Sequence, residues 1–198
     1  AICDTRFSKC CGGRSELFEN CWEPVPHPYL TSVADNSGTG DGPDFCDTAD
    51  EAVLRQVLNS YDRETPDFYR WEEAYTPAEL SGVLRRKTGI DFGEVRALEP
   101  LERGLSGRII RLRVSGSKRT VVIGKELEIR RALSESHLRS SAFDAAFDGE
   151  RWLLSGRGWG HGVGLCQIGA AVMGARGYDY RGILAHYFPN ATLTKIYD

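Results

Sequence analysis

The segment Gly156-Arg157-Gly158-Trp159-Gly160-His161-Gly162-Val163-Gly164 places glycine at every second position. In an extended chain successive side chains point to opposite faces, so such a run bares one face of the backbone. Another chain segment or a ligand can then approach the peptide groups closely. Trp159 and His161 fall on the opposite face. A lone histidine among bare amides suits contact with a polar ligand; it equally suits a hydrogen-bonded, inert place where segments cross inside a core. The run is not a dinucleotide fingerprint, because no three of its glycines have G-x-G-x-x-G spacing, and it lacks the Lys-Ser/Thr of a phosphate loop.

The chain around this segment has 198 residues, 41% hydrophobic and 27% charged, the composition of an ordinary folded domain. A net charge of -3 argues against a nucleic-acid partner held by a general basic field. No apolar run approaches the ~20 residues of a membrane span. The chain opens on Ala1-Ile2-Cys3, with neither initiator methionine nor signal peptide, and reads as a trimmed piece of something longer.

Six cysteines stand at positions 3, 10, 11, 21, 46 and 166. An even count at this density fits an oxidising compartment. Cys21 to Cys46 is one local staple among many pairings. The rival reading is zinc, with Cys3, Cys10 and Cys11 near one another in sequence, although no C-x2-C pair marks a self-contained site.

Patterning predicts a strand over 1–7, another over Tyr29–Val33, a turn-rich loop over 34–46 and a helix over 48–60. The aromatic stretch Arg63–Tyr75 reads as a packed strand or a sugar-stacking surface. Thr76-Pro77-Ala78-Glu79 is a capping box that starts a helix, which Gly89 ends. Arg108–Val114 and Arg119–Ile123 form a hairpin, with Arg108, Arg111 and Arg113 on its solvated face. A helix follows at 125–133, strands at 143–147 and 151–154, helices at 170–175 and 180–187, and a last strand at 193–197. Glu72-Glu73 and Glu126/Glu128 read as solvated pairs. The order is α+β: a mixed, largely antiparallel sheet with short helices, in a single domain with a surface insertion at about 34–90.

Residues Gly158-Trp159-Gly160-His161-Gly162-Val163-Gly164-Leu165-Cys166-Gln167-Ile168-Gly169-Ala170 closely resemble the G-x-G-H-G-V-G-M-S-Q-x-G-A signature of the stage II sporulation protein D and amidase-enhancer family. The resemblance continues through Met173, Gly177, Tyr178, Tyr180, Ile183, Leu184, His186, Tyr187 and Pro189. Upstream it takes in Ser106-Gly107-Arg108, Leu138-Arg139-Ser140-Ser141-Ala142-Phe143, and Gly12-Gly13-Arg14-Ser15-Glu16 with Trp22 and Pro28-Tyr29-Leu30. The motifs run in order over nearly the whole chain.

The resemblance implies a peptidoglycan-active protein outside the cytoplasm. Family enzymes are lytic transglycosylases that cleave the MurNAc–GlcNAc bond of peptide-stripped glycan strands and leave 1,6-anhydro ends. The alternative is a non-catalytic module that binds glycan strands or activates a cell-wall amidase. The family's catalytic Glu and its zinc-binding Cys/His segment belong upstream and are absent from this chain. Glu16 is the best local substitute for the acid. The resemblance places His161, Gln167, Arg139, Ser140, Ser141, Gly160 and Gly162 along a substrate groove. Zinc is the one cofactor suggested, with Cys3, Cys10 or Cys11 reaching toward it. Cys11 and Cys166 replace family serines and are expected to face each other, as a disulfide ahead of a pair of metal ligands.

Overall fold

The computed structural model describes residues 3–38, 42–58 and 68–196. Parts of the expected first strand, of the 34–46 loop, of the 48–60 helix and of the 63–75 stretch, and the end of the last strand, lie outside the described residues.

Among the described residues, eight strands and five α-helices follow one another as β1 (Phe7–Ser8), α1 (Glu51–Val57), β2 (Arg70–Tyr75), α2 (Pro77–Thr88), β3 (Val95–Arg103), β4 (Ile109–Gly116), β5 (Thr120–Ile123), α3 (Glu126–Ala132), β6 (Phe143–Phe147), β7 (Trp152–Arg157), β8 (Leu165–Cys166), α4 (Gln167–Ala175) and α5 (Tyr180–Tyr187). Strands β2-β7-β6 and β3-β4-β5 form two antiparallel sheets, and β1 pairs in parallel with β8. The architecture is α+β and largely antiparallel, as the patterning indicates.

Local chemistry explains several boundaries. Thr76 accepts from the Glu79 N–H while the Glu79 side chain accepts from the Thr76 N–H, so α2 starts on a complete capping box with Pro77 behind it. Gly89 closes the helix in the left-handed conformation at φ 71°. Asp50 and Asp179 cap α1 and α5 through their carboxylates.

Two apolar clusters form the interior. One gathers Leu80 and Leu84 of α2, Ile109, Leu112 and Val114 of β4, Ile129 of α3, and Trp152 and Leu154 of β7. The other gathers Cys10, Cys11, Phe45, Cys46, Val163, Cys166, Met173 and Tyr187. The glycine segment emerges from β7 and leads into β8, so it passes from the first cluster's sheet into the second cluster.

Four expectations are corrected. Tyr29–Val33 forms no strand, only the end of a turn at Pro28-Tyr29, a bend at Leu30 and, just after it, an isolated bridge at Ala34. Residues 193–196 carry no strand. Arg108 is not on a solvated face but fully buried, with 0% of its surface exposed. Glu126 is buried too, and pairs at 3.4 Å with buried Arg130 one helical turn on. The nine-residue strand β3, broken in register around Pro100, lies within the region expected to be β but has no alternating signal of its own.

A candidate glycan cleft beside an interlocked glycine segment

Each glycine from 158 to 164 has a positive φ: 78° at Gly158, 95° at Gly160, 78° at Gly162 and 73° at Gly164. The segment is therefore not extended as the alternation suggests. Each glycine turns the chain through a conformation that costs an L-residue roughly 1–2 kcal/mol. Close approach is nevertheless the result. A Cβ on Gly164 would lie 2.2 Å from the Arg6 carbonyl oxygen, and one on Gly162 would lie 2.4 Å from the Arg108 guanidinium.

Three distant motifs interlock here. The Arg108 guanidinium donates from Nη1 to the Cys11 carbonyl (3.0 Å), and from Nε and Nη2 to the Gly160 carbonyl (3.2 and 3.0 Å). The Glu16 N–H donates to the Gly162 carbonyl at 2.9 Å. The Glu16 carboxylate accepts from the Leu17 N–H (2.9 Å), Asn20 Nδ2 (2.9 Å), the Ser106 N–H (3.2 Å) and Ser106 Oγ (2.5 Å). Glu16 is 0% exposed, so four donors saturate it away from solvent.

His161 sits against Trp22, ring centroids 4.7 Å apart, and its Nδ1 accepts from the Val163 N–H at 3.0 Å. Burial first, then the positive charges of Arg108, Arg130 and Arg6, push the imidazole down to about 4. The ring is neutral at pH 7. Arg6 stacks on the same indole, 4.8 Å from its centroid.

The remaining sequence-predicted residues are distributed around this knot. The Gly160 N–H donates to the Arg139 carbonyl at 2.7 Å; Arg139 pairs with Glu73 at 2.6 Å and lies over the Trp159 ring. Ser140 Oγ donates to the Arg157 carbonyl at 2.6 Å. Ser141 is fully buried. Gln167 is half-buried at the first position of α4.

An open cleft of about 800 Å³ lies on the β2-β7-β6 sheet. Arg70, Arg103 and Arg157 line it with Glu72, Asp144 and the edge of Phe143. Arg103 is tied to Asp144 at 2.8 Å, and Arg70 to Asp47 at 3.0 Å. The cleft meets the glycine segment at Gly156 and Arg157, not at His161. Sequence reasoning missed the arginines, which come from three separate stretches of chain with no shared motif.

Among the described residues the six cysteines are thiols. Cys21 hydrogen-bonds to the His161 carbonyl at 3.6 Å while Cys46 meets Cys11, so the expected Cys21–Cys46 staple is not formed. Cys11 and Cys166 do face each other: the Cys11 N–H donates to Cys166 Sγ at 3.2 Å. No disulfide joins them. Burial pushes the Cys166 thiol up, but hydrogen bonds from Cys10, Cys11 and Cys46 outweigh it and hold Cys166 well below the usual thiol range. Burial, with nearby Cys46, pushes the Asp35 carboxyl up to about 9.

The chain is similar to stage II sporulation protein D of Bacillus amyloliquefaciens, 32% identical over 183 residues that cover 92% of this chain and 48% of that protein. It is 25% identical to stage II sporulation protein D of Bacillus subtilis (strain 168) over 142 residues, covering 72% of this chain and 38% of that protein. It is 33% identical to the amidase enhancer of Bacillus subtilis (strain 168) over 79 residues, covering 40% of this chain and 11% of that protein. The chain thus spans less than half the length of each of these relatives. They bear out the resemblance carried by the glycine, S-G-R and L-R-S motifs. The family model described as "Domain of unknown function (DUF8618)" matches residues 16–164, and the chain belongs to that family.

Proposed function

We propose that this chain forms one wall of a glycan-strand cleft in a peptidoglycan-active protein of the cell envelope. The observation that carries the reading is the cleft of Arg70, Arg103 and Arg157 beside the glycine segment. A peptide-stripped glycan strand is long, hydroxyl-rich and carries a free lactyl carboxylate on every MurNAc. An open groove with guanidinium groups suits it, because arginine binds carboxylates in a two-pronged fork. The names of the relatives support the cell-wall setting.

The reaction fitting such a protein is lytic transglycosylation. One carboxylic acid protonates the glycosidic oxygen, then takes the proton of the C6 hydroxyl as that oxygen closes on the anomeric carbon, giving a 1,6-anhydro end. Glu16 is a poor candidate for the acid, because its oxygens are saturated and buried. In this reading the arginines hold the strand, and the acid is the one that the family resemblance implies in the longer protein.

The test is retention of purified, peptide-free glycan strands by the chain, with anhydro ends read by mass spectrometry for the chain and for the longer protein. Retention without cleavage by the chain, and cleavage by the longer protein, is the expected pattern. The likeness to an amidase enhancer favours a second reading, activation of a cell-wall amidase. Failure to retain strands, with a rise in amidase turnover on adding the chain, would establish that reading instead.

A further inference from the structure

Four cysteines from three distant stretches converge in the second apolar cluster: Cys10 and Cys11 after β1, Cys46, and Cys166 in β8. All four are buried. The sulfurs of Cys11, Cys46 and Cys166 and a carboxylate oxygen of Asp35 all lie within 4.8 Å of one another. Cys10 is buried in the same apolar cluster.

Two chemistries compete for such a cluster. A disulfide joins sulfurs at ~2.05 Å and divides four of them into pairs. A metal centre holds them around a common point. Thiolate–zinc bonds of ~2.3 Å in a tetrahedron set sulfur–sulfur edges of ~3.8 Å. Cys11 and Cys46 stand 3.7 Å apart, an edge of that tetrahedron. The three sulfurs and the Asp35 oxygen all lie within 4.8 Å of one another, which describes a shared centre better than bonded pairs.

The surroundings agree. The Cys11 N–H points at Cys166 Sγ, as backbone amides do around metal thiolates. Asp35 is fully buried; its Oδ2 accepts from the Cys46 N–H at 2.8 Å and its Oδ1 from the Tyr187 hydroxyl at 2.5 Å. Each oxygen accepts only one hydrogen bond and keeps a lone pair, so Asp35 completes the tetrahedron with the three sulfurs.

We propose that Cys11, Cys46, Cys166 and Asp35 form a closed, structural site for one thiophilic divalent cation of the zinc class, with Tyr187 holding the Asp35 carboxylate in place. Each thiol that becomes a ligand releases its proton to solvent on binding. With no open coordination position the metal does no catalysis. It ties the start of the chain and the Cys46 loop to the strand that follows the glycine segment, and so fixes the knot that carries Arg108 and His161.

The experiment is metal analysis of the chain purified without chelator, then cobalt(II) titration of the stripped protein and X-ray absorption of the zinc form. One metal per chain, a tetrahedral cobalt spectrum with thiolate charge transfer, and three sulfurs at ~2.3 Å with one oxygen at ~2.0–2.2 Å are expected. Cys46→Ser abolishes the cobalt charge-transfer band, whereas Cys3→Ser, outside the cluster, keeps it. Asp35→Ala weakens cobalt(II) affinity while the thiolate charge-transfer band persists. The wild-type titration decides the matter even if the variants do not fold. No charge-transfer band in the folded chain, or a mass lower by two hydrogens for each disulfide formed, overturns the proposal. Four sulfurs and no oxygen would overturn Asp35 as a ligand and put Cys10 in its place.

Discussion

The guanidinium of Arg108 occupies the space into which any side chain at Gly162 would grow. A Cβ built on Gly162 lies 2.4 Å from the guanidinium carbon, and the same Arg108 is fully buried with only carbonyl oxygens as its side-chain partners. The glycine segment is thus threaded over a buried cation that satisfies its carbonyl groups. Gly162→Ala must both adopt a left-handed φ and displace Arg108. We expect it to cost about 3 kcal/mol or more, against about 1–2 kcal/mol for Gly149→Ala, where φ is also positive but nothing lies within 4 Å. Denaturant midpoints of the two variants measure the difference, and equal losses would remove the role given to Arg108.

His161 makes stability depend on pH. Its folded value is about 4, below the ordinary 6.5, because burial and three arginines oppose its charge. Between those values the unfolded chain binds the proton and the folded chain does not. The contribution is complete above about pH 6.5 and is lost as the pH falls toward 4, up to about 3 kcal/mol at ~1.4 kcal/mol per unit. His161→Gln, which does not titrate, flattens the melting temperature over this window. An unchanged acid slope would contradict a neutral, buried imidazole.

Glu16 and Ser106 are coupled across the fold. Ser106→Ala removes a hydrogen bond to a buried carboxylate and is expected to destabilise by about 1.5–3 kcal/mol. Glu16→Gln turns an acceptor into a partial donor facing four N–H and O–H groups, and lowers stability similarly. The double variant should lose less than the sum. If Glu16 were the catalytic acid, Glu16→Gln in the longer protein would abolish anhydro-end formation while leaving the melting temperature unchanged.

The cleft arginines act on binding rather than folding. Arg157→Ala leaves the melting temperature within about 0.5 kcal/mol of stability and weakens retention of glycan strands about 2- to 5-fold, the range of an exposed charge contact. The loss shrinks as salt rises. Strands whose lactyl groups are capped by stem peptides should show a smaller effect of the substitution.

Sequence alone determined the elements whose signals are local. The capping box at Thr76–Glu79, the left-handed stop at Gly89 and the helical spacing of Tyr180–Tyr187 need only neighbouring residues, and the structure reproduces them. The motif order pointed to the family in the same way. The sequence also showed that glycine is required from 158 to 164, but not that each turns the chain rather than extending it. Tertiary structure decided the rest. Arg108 and Glu126 read as solvated because an alternating or i, i+4 pattern does not say which elements will cover a face. The arginine cleft and the cluster of Cys10, Cys11, Cys46 and Cys166 come from stretches up to 156 positions apart. No local pattern marks such a meeting, because only the packing of β1 against β8 and of the Cys46 loop beneath them brings the groups within a few ångströms.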